Sequence, residues 1–223
     1  MSQQIPALLR PATGWHGLQW QQSTVVVLAS GQSFTADQAE MVRQWRVLSP
    51  EGRRRVIAIN TSYQRAPWAD VLYACDLEWW DLYAAKTAAG EWKPFEQQQW
   101  TQDIRAAERR GCRYIESSPG KGLGRTPGLI HQGQNGAYQA VNLAYQAGAR
   151  RIVLLGLDLH GTHWHGSHPT PLTNPQPYLF DAWKRNFEQL AVDLRDEGVH
   201  VINCSPGTAL KAFPTGDLEE TLR

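Results

Sequence analysis

The chain is poor in cysteine, in net charge and in long apolar runs, and each shortage closes off a class of protein. Only three cysteines occur in 223 residues, Cys75, Cys112 and Cys204. They are far apart and form no CxxC pair, which argues against a disulfide framework or a thiolate zinc site and makes a reducing cytoplasm the expected location. Lys plus Arg number 22 against 21 Asp plus Glu, a formal net charge of +1. The cationic residues are spread along the chain, so no broad nucleic-acid surface is expected, although a local groove is not excluded. No apolar run approaches the roughly 18 residues of a membrane span, and no basic segment leads into an apolar one at the start. Neither a membrane partner nor a signal peptide is therefore expected, while a homo-oligomer stays open.

What the chain has instead is tryptophan and histidine. Of ten tryptophans, Trp68, Trp79, Trp80, Trp92 and Trp100 fall in one segment, where large rings could cover a helix, line a pocket or form a contact surface. Four of the seven histidines lie between His160 and His168, inside the stretch Gln134 to Pro169 around which the chain is organised. From Gly136, the residues Ala137, Ala140, Val141, Ala144 and Tyr145 recur at helical spacing, and Gly148 ends the helix. Ile152 to Leu155 is continuously apolar, as in a parallel strand covered on both faces. It ends in Gly156-Leu157-Asp158, and polar residues just past the carboxyl end of such a strand are where open α/β sheets build their sites.

In chain order, residues 1 to 22 read as an irregular N-terminal arm pinned by Trp15 and Trp20, ahead of one α/β domain over 23 to 223. Thr24 to Ala29 is a buried strand running into Ser30-Gly31-Gln32-Ser33 and a helix from Ala36 to Trp45. This βα turn suits a phosphate, but its one glycine falls short of a dinucleotide fingerprint. Arg55 to Asn60 and Asp70 to Asp76 are further strands, each ending in a polar residue. Strand ends of a parallel sheet share one edge, so Ser30, Asn60, Asp76 and Asp158 are expected to be neighbours; alternatively, Asn60 and Asp76 cap turns or helices. Lys86 to Thr101 shows no clear pattern. Gln102 to Arg110 is a helix and Cys112 to Ile115 a strand. Ser117 to Gly128, with Lys121 and Arg125, is either a plain surface loop or a mobile basic loop over an anionic ligand, and it is not a Walker A motif. A helix from Tyr178 to Glu197 and a strand from Val199 to Asn203 follow. The order β-α-β-β-α-α/β-α-β-α-β predicts a doubly wound α/β sandwich.

The run GQNGAYQAVNLAYQAGARRIVLLGLDL, the histidine loop, the long helix and VHVINCSPGTALKAF together resemble a Rossmann-like group. It comprises the bacterial family 42 sialyltransferases, a domain of flagellin-modification accessory proteins and the archaeal 6-hydroxymethylpterin pyrophosphokinases. Stand-alone members of this kind are familiar from tailed phages, which would place the chain in a bacterial host cytoplasm. The resemblance covers about residues 24 to 214 and implies a single-domain, mostly parallel Rossmann-like sheet with helices on both faces. It implies that Ser30, Gly31, Gln32 and Ser33 meet the nucleotide phosphate or sugar, that Asn60 and Asp76 contact the nucleotide, and that Gln134, Asn135 and Gly136 form the donor-binding helix start. Gly156 and Asp158 match the Gly-x-Asp that ends the central strand, and His168 or His165 matches a general base. The loop after Asp158 is shorter than in the sialyltransferases, and their paired tyrosines have no clear counterparts.

The histidine spacing His163-Trp164-His165-Gly166-Ser167-His168 is similar to the His-x-His-x-Asp-His of metallo-β-lactamases, but Ser167 replaces the aspartate, so zinc hydrolysis is not expected. A metal bridging nucleotide phosphates, with Asp158, His163, His165 or Asp76 as candidate ligands, is a more natural expectation. The leading expectation is a transferase that binds a nucleotide-sugar donor and moves a glycosyl-type group to a hydroxyl acceptor. In it His168 or His165 is the base, Asp158 is a further catalytic residue, and amides near Gly31 and Gly136 offset phosphate charge. The alternatives are magnesium-dependent pyrophosphoryl transfer to a small heterocyclic alcohol, with magnesium on Asp76 or Asp158, and a non-catalytic phage nucleotide-binding or interaction protein.

Overall fold

The computed structural model describes residues 17–49 and 51–223. Seven parallel strands form the main sheet: β1 (Thr24–Leu28), β2 (Arg54–Ile59), β3 (Val71–Tyr73), β4 (Gln98–Thr101), β5 (Arg113–Tyr114), β8 (Arg151–Leu155) and β9 (His200–Asn203). The spatial order is β5-β4-β3-β2-β1-β8-β9, and β6 (Glu116–Ser118) pairs with β7 (Leu129–His131) in a separate two-stranded sheet. Val26 of the central β1 lies opposite Val56 on one side and Val153 on the other. The chain first winds outward from β1 to β5, then returns to add β8 and β9 on the other side of β1. The doubly wound, mostly parallel Rossmann-like fold expected from the sequence is the fold observed.

Side chains alternate across a strand, so apolar runs feed two cores. Val25, Val27, Ile57, Ile152 and Leu154 pack with α4 (Gly136–Gln146) and α5 (Pro177–Asp196) in one core. Val26, Leu28, Val56, Ala58, Val153 and Leu155 pack on the other face with α1 (Ala36–Val47), α2 (Leu77–Ala88), α3 (Ile104–Arg110) and α6 (Leu218–Leu222). Each fully buried aliphatic side chain contributes about 1.5–3 kcal/mol. Helix starts are fixed by capping: Thr35 and Gln38 form a capping box on α1, and Asp103 accepts the Arg105 amide at 2.9 Å to open α3. Among the described residues, no helix is long and apolar enough to cross a membrane.

Most of the tryptophan-rich segment belongs to the second core, while Trp100 packs in the first. Trp79 and Trp80 are buried and meet edge to face at 5.1 Å, while Tyr63 takes Trp79, Tyr83, Trp92 and Phe95 around its ring. With Trp79, Trp80 and Trp100 all inside, this segment is not an exposed contact surface. The unpatterned stretch from Lys86 to Thr101 contains β4, whose Gln-Gln-Trp-Thr sequence lacks the apolar run of a central strand. The basic loop is fastened down. Tyr138 donates its hydroxyl to Gly122 O at 2.7 Å, the Leu123 amide bonds Asp193 at 2.8 Å, and Arg125 pairs with Glu197 at 2.7 Å. Of the two tryptophans expected to pin the N-terminal arm, Trp20 is buried, its amide donating to Ala147 O at 2.7 Å, whereas Trp15 lies outside the described residues.

Candidate functional site

Where the chain reverses its direction of winding, β1 leads to α1 on one face of the sheet and β8 leads to α5 on the other, and such a switch point leaves a crevice. Here it is a cleft of about 450 Å³, walled by the ends of β1, β2, β3 and β8, the start of α4, the histidine loop and the first turns of α5. Ser30, Gly31, Asn60, Asp76, Gln134, Asn135, Gly136, Asp158 and His168 all line it, whereas Gln32, Ser33 and His165 do not. The four strand-end residues expected to be neighbours are therefore together.

The floor is a fixed junction between β1 and β8. Gly31 donates its amide to Gly156 O at 2.8 Å, and the Ser33 amide donates to Asp158 Oδ2 at 2.9 Å while its hydroxyl binds Asp158 Oδ1. A Cβ at Gly31 would sit 2.5 Å from both Asp158 Oδ2 and Gly156 O, so only glycine fits there. Asp158 is 3 % exposed, and its two oxygens are occupied by Ser33. It holds the turn that shapes the cleft. The amides of Gly31 and Ser33, expected to face a phosphate, are likewise spent inside the junction. At the start of α4, Asn135 Oδ1 accepts the Ala137 and Tyr138 amides at 2.9 and 3.2 Å, so this helix presents its dipole to the cleft from a capped end.

Backbone strain and orphaned polar atoms collect at the same place. Of the four described non-glycine residues with left-handed backbone, Asn60 (φ 49°), Gln134 (φ 58°) and Leu159 (φ 52°) line the cleft. Such conformations cost of order 1–3 kcal/mol each and persist where the surroundings enforce them. Asn60 Oδ1 and Trp183 Nε1 are buried without a hydrogen-bond partner, one an acceptor and the other a donor in the cleft wall. Asp76 reaches the mouth of the cleft without capping α2 by its side chain. It is exposed, yet the protein around it desolvates it in part. That desolvation, with Glu78 and Asp103 nearby, raises its pKa. The described lining residues include Asp76 and Asp158 but no Lys or Arg.

The histidine loop is anchored at several points. His163 bridges Gly31 in antiparallel fashion, and the Trp164 amide donates to Ser30 O at 2.9 Å. The Trp164 ring carries Arg65 at 3.8 Å and bonds Ser62 Oγ at 3.4 Å through Nε1. The His168 amide donates to Asn174 Oδ1 at 2.7 Å. His163, His165 and His168 thereby converge, with ring centroids 4.3 to 5.1 Å apart. Burial depresses the pKa of all three; His165 and His168 fall to about 4, with the neighbouring imidazoles adding to the effect. His160 stands apart, its Nε2 against Gly207 O at 3.1 Å.

The sequence reading missed the far wall. Leu179, Phe180 and Trp183 of α5 line the cleft, and Phe180 and Trp183 meet edge to face at 5.6 Å. Their helical spacing marks a buried face, and spacing alone does not distinguish burial against a core from burial against a cleft. No protein-family model and no curated protein matches the sequence. Among solved structures, the chain is similar to a MAf glycosyltransferase from Magnetospirillum magneticum AMB-1, with a TM-score of 0.61 and 13% sequence identity. The alignment covers 91% of this chain and 34% of that one, so the chain spans about a third of the neighbour's length. At this identity the likeness is one of fold.

Proposed function

We propose that the cleft binds a nucleotide-activated sugar and that the chain transfers the glycosyl group to a hydroxyl acceptor. One observation carries this proposal: a cleft at the topological switch point combines an aromatic wall with an unpaired buried donor and an unpaired buried acceptor. The Phe180 and Trp183 rings offer a face for a nucleobase, and Asn60 Oδ1 and Trp183 Nε1 offer its polar edge or the ribose a hydrogen bond each. Ser30, Gly31, Gln134, Asn135 and Gly136 close around the phosphate and sugar. The acceptor hydroxyl lies against the histidine wall at His163 and His168. His165 stands behind that wall, and Asp158 acts by holding the floor. The fold shared with a protein named as a glycosyltransferase is in keeping with this role.

Asp76 favours a second reading. A carboxylate at the cleft mouth that caps nothing could carry magnesium for pyrophosphoryl transfer. Thermal-shift measurements with CMP, UDP, UDP-sugars and ATP, each with and without magnesium, separate the two. Stabilisation by a pyrimidine nucleotide independent of magnesium supports glycosyl transfer, and stabilisation by ATP only with magnesium supports the second. A chain that responds to no nucleotide is not a transferase of either kind.

A further inference from the structure

We propose that His163, His165 and His168 form a binding site for one divalent transition metal of the zinc class, with a remaining coordination position open to the cleft. The three residues each offer one ring nitrogen, and these nitrogens lie within 4.8 Å of one another. Nε2 of His163 and Nε2 of His165 are buried with no hydrogen-bond partner. A buried ring nitrogen without a partner is unfavourable in the absence of something to bind. Two of them beside a third imidazole make a convergent set of nitrogen donors. The His163 backbone is held by its bridge to Gly31, which fixes where its ring projects.

The loop around the site is held by contacts of its own. Trp164, between His163 and His165, is locked by Arg65, Ser62 and Ser30, and His168 is tied to Asn174. Tetrahedral zinc with Zn–N bonds of about 2.0–2.1 Å sets its ligand nitrogens roughly 3.3 Å apart, so the cluster draws in by up to about 1.5 Å on loading. An all-imidazole set suits zinc and its neighbours in the transition series and disfavours magnesium and calcium, which take oxygen ligands. Three protein ligands leave at least one position for water or substrate. His163 and His168 line the cleft and His165 stands behind them, which turns that position toward the cleft.

A metal here has an evident use. The cleft wall carries Asp76 and Asp158 with no described Lys or Arg, a poor environment for a nucleotide phosphate or for an acceptor hydroxyl losing its proton. A dication on the histidines supplies the missing positive charge at the wall where the acceptor is placed. This use rests on the transferase proposal; the site itself rests on the histidine geometry alone. The sequence obscured it because Ser167 occupies the aspartate position of the similar hydrolase pattern, whereas in the fold the third ligand is His168.

The test uses the untagged full chain stripped with a chelator, titrated calorimetrically with zinc chloride and, separately, with cobalt(II) followed by visible absorption. Expected are one metal per chain, a rise in melting temperature of several degrees that chelator reverses, and a tetrahedral cobalt spectrum. His165→Ala should weaken zinc by at least about 100-fold, and His165→Gln should do the same with less loss of volume should the alanine variant fold poorly. His200→Ala, at the opposite edge of the sheet, should bind zinc as the parent does. Absence of stoichiometric metal, or parental affinity in folded His165→Ala and His168→Ala, overturns the proposal. Titrating CMP and UDP into stripped and zinc-loaded protein separates the two claims. Zinc that binds as described without any nucleotide response supports the site and counts against the transferase.

Discussion

Replacing Gly31 by Ala tests the junction on which the cleft stands. The added Cβ would lie 2.5 Å from Gly156 O, 2.5 Å from Asp158 Oδ2 and 2.6 Å from Asp158 Cγ. Gly31 itself is not in the left-handed region, so the strain is steric. Gly156 has little room to retreat, since it holds φ at +66° and a Cβ there would lie 2.6 Å from Ala29 O. Asp158 can move, but only by giving up both bonds to Ser33. Overpacking of this kind costs about 1–3 kcal/mol, and displacing hydrogen bonds to a charged group costs about 1.5–3 kcal/mol. The two are alternatives in part, so the expected loss is about 2–4 kcal/mol, or roughly 4–16 °C in melting temperature for a chain of this size. In an Asp158→Ala background the same change should cost about 1 kcal/mol less, because only the Gly156 clash remains. Urea unfolding of the four proteins of this cycle measures both quantities. A Gly31→Ala variant within about 0.5 kcal/mol of the parent, or strictly additive effects, would refute the packing described for the cleft floor.

Two further outcomes follow from other parts of the molecule. Phe187 is fully buried between Tyr138 at 5.3 Å and Phe213 at 6.0 Å, so Phe187→Ala should destabilise by about 3–5 kcal/mol in urea. Burial pushes the Asp103 carboxyl up, but bonds from the Arg105 side chain and from the Arg105 and Leu77 amides outweigh it and hold its pKa below the ordinary value. A depressed carboxyl stabilises the fold above its unfolded pKa and loses that contribution as pH falls through its folded one. The parent should therefore exceed Asp103→Asn by about 1 kcal/mol at pH 7, discounted because Arg105 is solvated, with the gap closing below about pH 4. A gap independent of pH contradicts the assignment.

The sequence made the central sheet legible because β1, β2 and β8 are buried on both faces and write that burial as apolar runs. The expected strand at Arg55 to Asn60 differs from the observed Arg54–Ile59 because Asn60 turns into the left-handed region and begins a short 3-10 turn. β4 and β6 escaped notice because Gln98–Thr101 and Glu116–Ser118 are short and polar. The clustering of Ser30, Asn60, Asp76 and Asp158 was readable from one rule, that parallel strands end on a common edge. Their individual duties were not: Ser33 turned out to serve Asp158, and Asn135 to cap its own helix. Nor could the sequence show that three of four loop histidines converge, since that depends on Trp164 docking between Arg65 and Ser62, residues about 100 positions upstream.

Calorimetric titration of CMP and UDP into the full-length chain, paired with the same titration into Asn60→Ala, tests the central claim most directly. The expected result is one site per chain for at least one of these nucleotides, weakened roughly 10-fold when the unpaired Asn60 oxygen is removed. Binding that Asn60→Ala leaves unchanged would place the nucleotide elsewhere, and no binding at all would contradict the cleft's assignment as a nucleotide site.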